Sequence, residues 1–197
     1  AELEPERQTV PCYPGDQEVM IPLSQYRQQD RTLAERADVR EVYDAYVAWV
    51  TNQSGWRHDD GRFRTGRTYE AALILAATDF SGKRALEFGA RGSFLGAFLA
   101  GSADEVRVSD LFGQPFHDMG GPDLWYPLWR QGALNPDRLI TERQDMMAPT
   151  YPDGYADVVI SLSAVEHLIR PPDGDMIAMR EMGRVLRPGG LLFVATD

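Results

Sequence analysis

Polar and apolar positions divide the chain into contrasting stretches. The first 30 or so residues carry Pro5, Pro11, Pro14 and Pro22 with no hydrophobic period, so they read as an irregular arm. From Leu33 to Val50 a helical stripe emerges. Val39, Val42, Tyr43, Tyr46, Val47 and Val50 recur at i, i+3, i+4, i+7, i+8 and i+11, while Arg36, Asp38, Glu41 and Asp44 fill the opposite face. Such a helix is amphipathic and packs one side on a neighbour. Residues 52–66 form a polar, glycine-punctuated loop holding Trp56, His58, Asp59 and Asp60. A second helix is predicted over Thr68–Thr78, with Tyr69, Leu73, Ala76 and Ala77 sharing a face.

After Ser81-Gly82 short apolar runs alternate with helical stretches. Strands are predicted at Arg84–Phe88, Glu105–Ser109, Arg138–Gln144, Asp157–Leu162 and Leu191–Thr196. Helical stripes lie between them: Phe94, Leu95, Phe98 and Leu99 after the first strand, and Ala178, Met182, Val185 and Leu186 before the fifth. The latter stripe is expected to stop at the turn Arg187-Pro188-Gly189-Gly190. A long aromatic insert, residues 113–136, carries Trp125, Tyr126 and Trp129, side chains that suit either an acceptor pocket or an anchor onto the sheet. The fourth strand is continuously apolar and β-branched, as a strand buried on both faces must be. Strand–helix alternation at this spacing predicts crossover connections and an α/β, doubly wound, mainly parallel sheet with an N-terminal helical extension.

Composition narrows the partners. The 197 residues carry 30 acidic and 20 basic side chains, a formal net charge of −10, which repels phosphate backbones and argues against nucleic acid as a partner. No apolar run is long enough for a membrane span, and the charged residues 1–9 do not resemble a secretory leader. The single cysteine, Cys12, closes no internal disulfide and no CxxC pair exists, so a reducing, cytoplasmic setting is expected and no metal site is.

In a doubly wound sheet, ligands bind beyond the carboxyl ends of the strands, where the strand order reverses. The first strand runs into Glu87-Phe88-Gly89-Ala90-Arg91-Gly92-Ser93, where glycine permits a tight turn and a close approach of ligand to backbone. The second ends at Asp110, 21 residues after Gly89. An acid about 20 residues after such a turn is the usual partner of ribose hydroxyls, because a carboxylate accepts two hydrogen bonds from a vicinal diol. The pair points to an adenosine-containing ligand.

From Leu86 to Thr196 the chain resembles the class I S-adenosylmethionine-dependent methyltransferases, particularly those acting on small molecules. Ala85-Leu86-Glu87-Phe88-Gly89 is similar to that family's first motif and Val106-Arg107-Val108-Ser109-Asp110 to its second. Gln144-Asp145-Met146 resembles the acidic position that takes the adenine amino group. Residues 152–161 with Glu166-His167-Leu168 resemble the fourth strand and its exit, and residues 184–192 the helix end and fifth strand. The resemblance implies a Rossmann-like domain over residues 66–197, with residues 1–65 as an arm and helical cap over the acceptor side. It also implies S-adenosyl-L-methionine as cofactor, held by Glu87, Gly89, Ala90, Arg91, Asp110, Leu111, Asp145, Met146 and Ser161. The activity implied is transfer of its methyl group to an O, N or C nucleophile of a small molecule.

Two departures from the pattern stand out. Arg91 occupies the place of the second glycine of the family's Gly-x-Gly-x-Gly turn. Its guanidinium either pairs with the methionine carboxylate of the cofactor or points to solvent. The sheet is also expected to end after its fifth strand, where the family normally adds two more. Glu87 fits either the cofactor's amino group or the backbone of its own turn. Met146 fits either the face of adenine or the core. His167 is the candidate general base for a hydroxyl acceptor, or alternatively holds its local helix. His58 is a second candidate if the arm folds over the site, whereas His117 with Asp118 is too little for a metal. A non-catalytic domain of the same fold, used for binding or assembly, is the rival reading. A nicotinamide-dependent oxidoreductase is disfavoured, since its fingerprint needs glycine where Arg91 and Phe94 stand.

Overall fold

The computed structural model describes residues 37–53, 65–113, 120–168 and 171–196. The proline-rich arm, the loop with Trp56, His58, Asp59 and Asp60, and His117 with Asp118 lie outside the described residues. Two helices, α1 (Ala37–Gln53) and α2 (Thr65–Ala77), precede a sheet of five strands: β1 (Arg84–Phe88), β2 (Glu105–Asp110), β3 (Leu139–Arg143), β4 (Ala156–Leu162) and β5 (Leu186–Ala195). Between them stand α3 (Leu95–Leu99), α4 (Pro122–Gly132) and α5 (Gly174–Val185). The strands run in the order β3-β2-β1-β4-β5, all parallel, so the order reverses between β1 and β4.

Strand alternation distributes the core over both faces. Ala85 of β1 and Val158, Ile160 and Leu162 of β4 join α1, α2, α3 and α4 in one cluster, which includes Tyr46, Val50, Ile74 and Leu95. Leu86, Phe88 and Val159 face the other way, onto Ala178, Met182 and Val185 of α5. Helix α1 is tied into the first cluster by its aromatic stripe: Tyr46 and Trp49 meet the Phe98 ring edge-on, at centroid distances of 5.3 and 5.0 Å.

Two segments differ from expectation. The aromatic insert contains a helix, α4, despite Pro127 in its interior. Trp125 and Trp129 stand one turn apart and are fully buried, and the Trp129 indole N–H donates to the Ser93 carbonyl at 2.8 Å. These two rings anchor the insert to the sheet domain. At the other edge, β5 begins directly after α5 instead of after a turn. Leu186 pairs with Ala156 and Leu191 with Val158, so residues 187–190 bulge out of the ladder, with Gly189 at φ +75°.

Candidate functional site

The site is built where β1 and β4 diverge. Beyond β1 the chain turns at Gly89, with φ +66°, a conformation that L side chains rarely adopt. A Cβ placed there would collide with the Cβ of Ala164, on the exit loop of β4, and would stand 3.1 Å from Met146 Cε, beyond β3. Ala90 N–H donates to the Ser109 carbonyl at 3.0 Å, stitching the turn to β2. Glu87 lies beneath it, 2% exposed. Its carboxylate accepts from Ser93 Oγ at 2.5 Å and from Gly96 N–H at 2.8 Å, so it holds the loop onto the start of α3. Helix α3 has only five residues. Burial, and then the Glu87 charge, push the Tyr46 phenol well above its ordinary pKa.

Asp110 ends β2 inside a ring of donors. Its carboxylate accepts from Phe112 N–H at 2.6 Å and Arg91 N–H at 3.2 Å, and pairs with the Arg91 guanidinium at 3.3 Å. The Arg91 and Asp110 side chains are only 7% and 10% exposed. The same guanidinium donates to the Gly113 carbonyl at 3.2 Å and lies 5.5 Å from the centre of the Phe112 ring. Phe112 itself has φ +54°, a strained conformation for an aromatic residue. Leu111 is exposed, and its carbonyl accepts from Arg143 Nε at 2.9 Å.

Beyond β3 the chain folds tightly. Asp145 Oδ1 accepts Met147 N–H at 2.8 Å, while its backbone carbonyl accepts Ala148 N–H at 3.0 Å. Met146 is buried in the cluster of Leu86, Phe88 and Tyr151, so it serves the core while its methyl group abuts the Gly89 turn. On β4, Ser161 lies opposite Phe88 in the ladder, fully buried, and its hydroxyl has no hydrogen-bond partner among the described residues. Ser163, at φ +44°, donates its N–H to the Ala195 carbonyl at 2.8 Å. A one-turn helix, Val165–His167, then exposes His167 on the loop that presses Ala164 against Gly89.

The fold therefore gathers the tips of β1, β2, β3 and β4 around the reversal point. The Arg91 guanidinium is buried against Asp110, so it does not point to solvent. Phe112 and Ala164 escaped the sequence analysis. Nothing in the sequence signals a left-handed phenylalanine, whereas Ala164 could have been sought as the small residue that a close-packed glycine turn requires.

A family model described as a methyltransferase domain matches residues 121–194. Over those residues the chain is similar to that methyltransferase domain. Its sheet has the fold of solved structures that share little sequence with it. One, from Methanococcus maripaludis and described as an S-adenosyl-L-methionine-dependent methyltransferase, is 18% identical with a TM-score of 0.51, over 92% of this chain and 68% of that one. Another, 20% identical with a TM-score of 0.51, comes from a complex of the Haloferax volcanii Trm112 methyltransferase activator with a protein described as a methyltransferase. It covers 78% of this chain and 59% of that one. A Listeria monocytogenes protein, described as an S-adenosylmethionine-dependent methyltransferase, is 20% identical with a TM-score of 0.50, over 66% and 55%. The chain spans about half to two thirds of the length of the solved structures it matches. No curated protein matches it.

S-adenosyl-L-methionine is the cofactor on which two of these solved proteins are described as depending. The donor set here suits it: a second carboxylate oxygen on Asp145 with no other contact among the described residues, an exposed Leu111, and a glycine turn that keeps backbone accessible. Among the described residues there is no His, Cys, Asp and Glu group suited to a metal ion, and no helix long and apolar enough to cross a membrane.

Proposed function

We propose that the chain is an enzyme that transfers the methyl group of S-adenosyl-L-methionine to an O, N or C nucleophile of a small molecule. The observation that carries this reading is the convergence of Gly89, Asp110 and Asp145 at the tips of β1, β2 and β3, beside the order reversal. In it Asp110 accepts the ribose hydroxyls and the outer oxygen of Asp145 accepts the adenine amino group. Leu111 and Met146 flank the base. Gly89 and Ala90 let the ligand approach backbone, Glu87 keeps their loop in place, and the Ser161 hydroxyl supplies a further polar group at the end of β4. The bound cofactor supplies an already activated methyl electrophile, so the protein contributes chiefly orientation and exclusion of water. A base is needed only where the nucleophile must lose a proton as it attacks, as a hydroxyl does. His167, exposed on the β4 exit, takes that proton.

Residues 66–197 form the cofactor-binding body and residues 1–65 the arm and cap over the acceptor side, working in the cytoplasm without nucleic acid or membrane as partner. The packing of Tyr46 and Trp49 on Phe98 supports a cap seated against the body. One observation favours the rival reading, a binding domain without turnover: Arg91 already holds Asp110. Mass analysis of ligand released from the purified protein, followed by a small-molecule acceptor screen reading S-adenosylhomocysteine formation, separates the two. Product formation supports the enzyme, and its loss in His167→Ala for hydroxyl acceptors alone supports the base. Cofactor binding with no turnover across the screen replaces the enzyme by the binding domain.

A further inference from the structure

Within this reading of the cofactor site, the Arg91 guanidinium is paired with the carboxylate that would take the ribose hydroxyls. A carboxylate offers roughly four lone-pair positions. Asp110 has two of them engaged in hydrogen bonds, by Phe112 N–H and Arg91 N–H, while the Arg91 guanidinium is ion-paired with the same carboxylate at 3.3 Å. A vicinal diol needs the two that remain and would compete for the carboxylate with the guanidinium beside it. The two backbone donors belong to the turns that follow β1 and β2 and hold the carboxylate in place. The guanidinium is the one partner on a long, rotatable side chain, and its departure would leave the carboxylate open to the diol.

We infer that Arg91 is a latch on the cofactor site: it competes with the nucleoside diol for Asp110 and must swing away before the nucleoside binds. The latched position is well defined. Besides Asp110, the guanidinium donates to the Gly113 carbonyl at 3.2 Å and lies against the Phe112 ring, which the left-handed backbone at Phe112 presents to it. Those contacts are to the segment immediately after Asp110, so they are given up together. Gly92, next in the chain with φ +87°, supplies a backbone hinge beside the arginine. Because an ion pair this buried is weakly screened, the latch holds at ordinary salt. A ligand that binds only the unlatched protein has its affinity reduced by the unlatched fraction, so the latch sets how much cofactor the site needs to fill. Arg91 is thus an affinity-setting residue, and removing it tightens binding.

That sign is the test. Adenosine carries the diol but no methionine carboxylate, so it reports the ribose position alone. Calorimetric titration of adenosine into the whole chain, wild type against Arg91→Ala and the similarly long Arg91→Met, is expected to show binding about tenfold tighter in both variants, the effect of unmasking a site latched about nine-tenths of the time. In an Asp110→Asn background the gain from Arg91→Met should vanish. The methionine variant preserves packing, and urea denaturation confirms that it is folded. Adenosine affinity equal to or weaker than wild type in both folded variants overturns the latch and leaves the cofactor reading standing. Failure of adenosine and S-adenosylhomocysteine to bind wild type or any variant overturns the cofactor reading, and the latch with it.

Discussion

Gly89 and Ala164 touch so closely that a side chain on the first would overlap the methyl group of the second. Two constraints coincide at position 89: a left-handed backbone at φ +66° and the absence of room. Gly89→Ala is therefore expected to destabilise the protein by roughly 2–4 kcal/mol, backbone strain plus overpacking. Adding Ala164→Gly removes the collision and leaves the strain, so it should restore about half of that loss. Urea denaturation of the three variants reads both numbers. A Gly89→Ala protein as stable as wild type would mean that the β4 exit loop yields freely.

Glu87 is a buried acid whose bonds run to Ser93 Oγ and Gly96 N–H, the two donors that fix the loop ahead of α3. Removing the carboxylate orphans both donors in a dry environment. Glu87→Ala is expected to lower stability by about 2–3 kcal/mol, and Glu87→Gln, which keeps one acceptor, by less. Both variants should also weaken cofactor binding, because the turn at Gly89 and Ala90 is held from below. Denaturation midpoints and calorimetry check the two effects separately.

The strands at the heart of the site were legible because β1, β2 and β4 are short, β-branched or apolar runs bounded by turn residues, and the structure places them within a residue of expectation. The places of Gly89 just beyond β1 and of Asp110 at the end of β2 were legible from the strand pattern. Trp125 and Trp129 were harder to read: they stand at helical spacing, but Pro127 between them argues against a helix, and only burial of both indoles outweighs it. The bulge at residues 187–190 was hidden because Arg-Pro-Gly-Gly is turn chemistry, and its pairing depends on the distant residues Ala156 and Val158. The partner of Arg91 was illegible for the same reason. It follows from how two turns, 19 residues apart, face each other across the ends of β1 and β2.

Asp157 connects three strands. Its carboxylate accepts the Arg84 N–H at 2.7 Å and pairs with Arg187 Nε, drawing the starts of β1 and β5 to β4. The backbone bond from Arg84 does most to hold the carboxyl below the ordinary aspartate value of 3.8; burial, the next-largest effect, opposes it, and Arg187 and then Lys83 add to the lowering. A carboxyl depressed in the folded state stabilises fully above its unfolded value, and that contribution fades as pH falls through 3.8 and below. Asp157→Asn should cost about 1 kcal/mol at pH 7, a figure discounted for the half-exposed Arg187, and progressively less below pH 4. Denaturant titrations at pH 7, 5 and 3.5 test the convergence. A gap that widens toward acid would reverse the assignment.

Asp145 allows the adenine assignment to be tested by a change of specificity. One oxygen, Oδ1, accepts Met147 N–H at 2.8 Å and fixes the rotation of the group. In Asp145→Asn the same N–H demands the amide oxygen, so the amide nitrogen must take the outer position. An acceptor facing the ligand thereby becomes a donor, with the turn intact. Adenosine presents an amino donor at its six position and inosine a carbonyl acceptor. Wild type should prefer adenosine by about 1.5–3 kcal/mol, the range for a hydrogen bond to a charged group, and Asp145→Asn should narrow or invert that preference with little change in unfolding midpoint. Asp145→Ala, which loses both oxygens, should weaken adenosine binding without improving inosine. An adenosine-to-inosine ratio identical in wild type and Asp145→Asn would remove this residue from the base-recognition site, because a donor-for-acceptor exchange in contact with the six position cannot be silent.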